Sequence, residues 1–185
     1  MQAASLACYE WLAAFTGGRP RQTLVHAGLT GALDGRPFAL EMAPAFQFPA
    51  SNDELSGPVG ASWAGRWRLF RYRVHTGWDS EAHLPDEARV VAPPVRLDGR
   101  GGIVSRVLEL SQQSPRYVWG RKRPGHPEMW TSNSTVAWTL TRAGIDTVAL
   151  AVPDGCRAPG WASGLAEAGD WPVGGSGPRP GPGAA

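Results

Sequence analysis

The chain has 185 residues, of which 42% are hydrophobic and 18% charged, with a formal net charge of +2 and two cysteines. That length supports one domain with a full hydrophobic core and is short for two. So balanced a charge calls for neither nucleic acid nor anionic lipid, and Cys8 and Cys156 are too few for a disulfide framework or a paired-cysteine metal knuckle, which fits a reducing compartment. Lys122 is the one lysine among 18 basic residues, a bias that fits GC-rich bacterial coding better than a functional demand for arginine.

The N-terminal "MQAASLACYEWLAAF" lacks a basic leader, and Glu10 interrupts its apolar run far short of the roughly 18 residues a membrane span needs. The expected location is therefore cytoplasmic. Residues 5–15 read as a helix with Leu6, Tyr9 and Leu12 or Ala13 on one face, ended by Gly17, Gly18 and Pro20. "TLVHAGLTGAL-DG-RPFALEMAP" then reads as a β-hairpin turning at Asp34-Gly35. A strand over 24–33 puts Val25, Ala27, Leu29 and Leu33 on one face, and His26, Gly28 and Thr30 on the other. A strand over 38–43 sets Phe38, Leu40 and Met42 against Ala39, Glu41 and Ala43. A two-residue turn pairs Leu33 with Arg36 and, continued, Gly28 with Glu41, so His26 and Glu41 become diagonal neighbours roughly 7 Å apart. Gly28, Ala39 and Ala43 leave room above that face for another element.

Further along, 46–62 reads as a loop with a short helical turn, 66–74 as a third strand, and 78–94 as a polar connection. Ile103, Val104, Val107, Leu108 and Leu110 recur at helical spacing over 103–113, and Pro115 stops the helix. "RYVWG" reads as a short strand, 133–143 as a helix capped by Gly144, "DTVALAVP" as a last strand, and 154–169 as a turn and short helix. Four prolines and five glycines among the final 14 residues, 172–185, predict a disordered tail after one globular domain over 1–171.

Two features carry possible chemistry. An imidazole and a carboxylate placed as His26 and Glu41 form an oriented base; the ordinary alternative is a weak surface ion pair. Ser132, Asn133, Ser134 and Thr135 open a helix, where orphan N–H groups and the positive dipole end favour developing negative charge. The ordinary alternative there is capping, by Thr131, Ser132 or Asn133. Other candidates are weaker. "RWRLFRYR" at 66–73 interleaves arginines with aromatics in the way single-stranded nucleic acid is bound, but a strand would divide those arginines between two faces. His75, Asp79, Glu81 and His83 lack a recognised metal-ligand spacing, and no cofactor is expected. Trp119, Trp130, Trp138 and Trp161 read as core or rim packing before cleft lining. "CRAPGWASGL" suggests no mechanism.

Taken together, "HAGL" at 26–29, "ALEMAP" at 39–44, "TSNSTVAWTL" at 131–140 and Tyr117 in "SPRYVWG" are similar to the motifs of the circularly permuted NlpC/P60-like branch of the papain-fold hydrolases. That branch begins with a "His-x-Gly" strand, carries Glu on the next strand, and places a cysteine at the head of a late helix. The resemblance spans about residues 24–145. It implies an α+β fold, a small antiparallel sheet packed against helices, and hydrolysis of an amide or ester with His26 as base, Glu41 as orienting group and Ser132 at the cysteine position. Ser134 is the alternative nucleophile. Peptide, lipid and small amide remain open as substrates. Serine is the departure: a thiol is readily ionised by a neighbouring imidazolium, whereas a hydroxyl must lose its proton during attack. The second reading is therefore a non-catalytic binding module on the same scaffold.

Overall fold

In the computed structural model the described residues are 18, 20–49, 54–84, 90–97, 102–147, 150 and 152–169. The helix expected over 5–15, with Cys8, and the tail 172–185 lie outside them. The early strand divides in two: β1 (Thr23–Leu24) and β2 (Leu29–Leu33), with residues 25–28 between them in neither. β2 turns at Asp34 (φ 51°) and Gly35 (φ 79°) into β3 (Arg36–Pro44). Two successive left-handed residues make the tight turn whose twist matches the flanking strands. The register runs from Leu33 opposite Arg36 to Leu29 opposite Leu40, as the alternation requires.

β3 is buried continuously from Phe38 to Ala43, on both faces, because it lies inside the sheet and other elements pack on each side of it. β4 (Ser56–Pro58) and β5 (Arg71–Trp78) complete an antiparallel sheet in the order β2-β3-β5-β4, with Glu41 opposite His75 and Met42 opposite Val74. A two-stranded parallel ribbon joins β1 to β6 (Cys156–Arg157). Three helices lie among the described residues: α1 (Ile103–Gln113), α2 (Ser132–Ala143) and α3 (Trp161–Ala168). The chain is thus an α+β protein, and no helix among the described residues is long and apolar enough to cross a membrane.

One face of the sheet carries Leu40, Met42, Tyr72 and Val74 into a core shared with Trp130, and Val107, Val136, Leu140 and Ala143 continue that core between α1 and α2. α2 and α3 pack closely because Gly164 lies against the Ser134 carbonyl and Ala137, where any β-carbon would collide. On the opposite face, Leu84 covers Gly28 and the Glu81 carbonyl presses on Gly77. The small residues of that face do accommodate another element, the 79–84 connection.

Three expectations need correction. Residues 62–66 and 68–70 wind as 3-10 turns, so the third strand begins only at Arg71. Three of the stretch's four arginines act as struts: Arg68 donates to the Ala45 carbonyl (3.2 Å), Arg71 to Ser56 Oγ (2.9 Å) and the Gly65 carbonyl (2.9 Å), and Arg73 pairs with Glu54 (3.5 Å). The described residues of the 146–153 run adopt no strand; the late strand is β6, a few residues on, where the chain meets β1. "RYVWG" contributes a single bridge, Trp119 to Val59. β4 escaped the pattern reading because Gly57 and Pro58 look like loop, although an edge strand tolerates both.

Candidate functional site

Four polar residues open α2, and the structure gives three of them structural work. Ser134 Oγ accepts from the Thr131 N–H (3.0 Å) and donates to the Gly160 carbonyl (2.7 Å). The hydroxyl of Thr131, the N-cap residue, donates to the Pro159 carbonyl (2.7 Å). Asn133, only 3% exposed, uses its whole amide: Oδ1 accepts from the Ala27 N–H (2.8 Å), and Nδ2 donates to the carbonyls of Val25 (3.0 Å) and Pro159 (3.0 Å). Ser134, the alternative nucleophile, is fully buried and has its hydroxyl engaged as both acceptor and donor.

The fourth residue, Ser132, faces His26. Its Oγ lies 2.7 Å from His26 Nδ1, across 106 positions of sequence. With the ring proton on Nε2, the hydroxyl donates to Nδ1. Ser132 is buried at 4% exposure, whereas His26 is exposed. The clamp on this pair is the Asn133 amide, which grips the backbone on both sides of His26. It takes the place a neighbouring strand would have, since β6 holds the same edge up to the bond from the Val25 N–H to the Arg157 carbonyl (2.8 Å). Ser132 and Asn133 are the first two residues of α2, so their N–H groups have no helical carbonyl one turn back to bond.

The "CRAPGWASGL" segment gains a purpose here. Ala158, Pro159 and Gly160 are buried against the start of α2, and Gly160 (φ +89°) presses against Thr131 Oγ1 and Ser134 Oγ where a β-carbon would not fit. Glu128 secures the segment from the other side, accepting from the Gly160 N–H (2.7 Å) and from Arg157 (2.8 Å). Neither Glu128 nor the Asn133 clamp was legible in the sequence, because both act on backbone groups that only the fold brings near.

Glu41 sits on β3 at 8% exposure, opposite His75, and one register step beyond the end of β2 it would meet Gly28. Strand alternation turns its side chain to the layer opposite Leu40 and Met42, whereas Met42 Sδ meets Thr135 of α2 (3.0 Å). His26 thus reaches Ser132 through the Asn133 clamp and not through a continued strand. Tyr117 stands edge-on to Trp130 (5.0 Å between ring centres) and donates to Glu167 Oε1 (2.7 Å). Burial first, and the bond to Glu167 second, raise its phenol above the ordinary tyrosine range, so it ties α3 to the approach to α2 as a neutral donor.

Beside His26 and Asn133 opens an apolar cavity of about 130 Å³, walled by Val25, Leu150, Val152 and Trp161 among others. Trp161 is therefore the one tryptophan of the expected four to line it, while Trp130 is core. Two of the four metal-compatible side chains are engaged elsewhere: His75 Nδ1 bonds Glu54 (2.7 Å) and Asp79 pairs with Arg36 (2.7 Å), which holds its carboxyl below the usual range. Among the described residues no three His, Cys, Asp or Glu side chains converge as a metal site. Comparison with protein families, with curated proteins and with solved structures gives no match, so the functional reading is carried by this geometry alone.

Proposed function

We propose that the protein is a hydrolase of amide or ester bonds that works through a serine acyl-enzyme, on a permuted papain-like scaffold of the NlpC/P60 kind. The observation that carries the proposal is the 2.7 Å contact between Ser132 Oγ and His26 Nδ1 at the first turn of a helix. His26 takes the hydroxyl proton as Oγ attacks the substrate carbonyl carbon, and the carbonyl oxygen becomes an oxyanion beside the Ser132 and Asn133 N–H groups. The tetrahedral intermediate collapses, and the leaving amine or alcohol departs with the proton from His26. Water, activated by the same ring, then releases the acid and restores Ser132.

Serine is workable here because an oxyanion hole and a positioned base are demanded of any acyl-transfer site, whichever nucleophile it carries. Asn133 acts as a positioning residue, holding the His26 backbone. Glu41 is the proposed source of negative charge that favours the imidazolium, acting from the neighbouring strand. The apolar cavity selects a short apolar group on the acyl or leaving side. The test is turnover of chromogenic p-nitrophenyl acyl esters and the matching anilides. The parent should release p-nitrophenol, with Ser132→Ala and His26→Ala each lower by roughly 10²–10⁴-fold, the range a positioned base supplies. Turnover that survives both substitutions contradicts the proposal, and absence of turnover on every acyl group favours the binding module.

A further inference from the structure

Among the described residues, the exposed aromatic side chains gather in one region, away from any use the site makes of them. Residues 62–70 wind as two 3-10 turns that turn Trp63 (69% exposed), Trp67, Leu69 (63%) and Phe70 outward. Phe46 (54%) belongs to the 45–47 turn that packs against 68–70. The backbone presenting these side chains is fixed. Gly65 is buried against Pro58 and its carbonyl is held by Arg71, while Arg68 holds the Ala45 carbonyl. The rings also brace one another: Trp63 meets Trp67 edge-on (5.9 Å), Trp67 meets Phe70 (6.2 Å), and the Arg66 guanidinium lies 3.8 Å over Trp67. A soluble domain rarely holds so many large apolar side chains outward on rigid backbone without a partner for them.

Charge identifies the partner. Ser62, at the start of these turns, also lines a groove with Arg116, Arg121 and Arg123, and no carboxylate is among its lining residues. Arg123 is engaged by Glu167 (3.1 Å), but Arg116 and Arg121 are exposed and make no ion pair among the described residues. We propose that this face docks the protein on a negatively charged phospholipid surface. The aromatic and leucine side chains enter the headgroup boundary while Arg66, Arg116 and Arg121 meet phosphates. Nucleic acid fits less well: bases need open ring faces, whereas Trp67 is covered by Arg66 and edged by two rings, and Leu69 offers no stacking. A second copy fits less well too, because a two-fold contact would oppose cationic rims of the same sign.

The test is sedimentation of the full chain with vesicles of phosphatidylcholine alone or with roughly a third phosphatidylglycerol, at low and raised salt. Binding should require the anionic lipid and weaken with salt. Arg116→Gln with Arg121→Gln should lower partitioning roughly 25-fold, about fivefold per cation, and Trp63→Ser with Leu69→Ser should lower it by about tenfold or more through lost apolar burial. All four positions are exposed, so unchanged thermal unfolding should accompany the losses. The proposal is overturned if the chain does not sediment with anionic vesicles, or if both double variants bind like the parent. It is equally overturned if a single-stranded polynucleotide, and not the vesicles, retains the chain in an Arg116- and Arg121-dependent way, or if Trp63→Ser abolishes a dimer that forms without lipid.

Discussion

Replacing Asn133 by alanine tests how the site is assembled. The side chain is 3% exposed and makes three hydrogen bonds, two of them to the backbone flanking His26. Truncation orphans the Ala27 N–H and the Val25 carbonyl, while the Pro159 carbonyl keeps the Thr131 hydroxyl as a donor. Two orphaned groups in a partly buried setting, plus a small void, cost about 2–4 kcal/mol. Losing the clamp also frees His26 to drift from Ser132, and a displacement of about 1 Å in such a pair costs on the order of 10²-fold in rate. Urea unfolding followed by tryptophan fluorescence reads the first effect, and the rate of phosphonate labelling reads the second. Asn133→Asp serves as control: it keeps an acceptor for Ala27 but turns a charged oxygen on the Val25 and Pro159 carbonyls, so it should be no more stable than the alanine variant at neutral pH. A variant within about 0.5 kcal/mol of the parent that labels at the parent rate would refute the clamp.

Ser132→Cys should create a thiol that iodoacetamide alkylates well below the ordinary thiol pKa of about 8.5, faster than Cys156, because His26 and the α2 N-terminus favour the thiolate; a pH profile centred at the ordinary value counts against activation. Glu41→Gln should move the acidic limb of the ester pH–rate profile to lower pH, since removing a negative charge lowers the pKa of an imidazolium; an unmoved limb shows that Ser132 and His26 act without Glu41. Tyr72→Phe should raise stability at neutral pH by about 1 kcal/mol, because the buried Tyr72 hydroxyl meets no hydrogen-bond partner. Burial raises the folded phenol above its ordinary value of 10.0, so the folded state keeps a proton that the unfolded state releases above that pH. Parent stability should therefore fall as pH rises past 10, and the Phe variant should be spared that loss; a destabilised variant in denaturant titrations at pH 7 and above 10 would contradict the assignment.

Local chemistry made much of the fold legible. Asp34-Gly35 announced its turn, the alternation of Leu29, Leu40 and Met42 set the hairpin register, and Pro115 and Gly144 bounded two helices. The encounter of His26 with Ser132 was legible as well, through the resemblance of two short motifs, although the route differs from the expected one. A continued strand was to deliver His26, whereas the chain leaves β2 at Leu29 and is held from there by an amide on a helix. What stayed hidden depends on backbone groups meeting at long range. Glu128 reaching Gly160, Asn133 reaching Val25, and arginines turning inward to carbonyls leave no periodicity in the chain. The 62–70 turns were hidden for a related reason: "RWRLFRYR" alternates like a strand, and only the tethering of Arg68 and Arg71 to distant carbonyls shows why it coils instead.

The central claim is that the imidazole of His26 activates one hydroxyl, that of Ser132. The most direct measurement is peptide mapping by mass spectrometry after treatment with a serine-reactive fluorophosphonate. The account predicts a single stoichiometric adduct on Ser132 in the parent, none on Ser134, and a labelling rate that collapses in His26→Ala while the variant remains folded. An adduct distributed over several serines, or one on Ser132 that forms equally fast without His26, would contradict it.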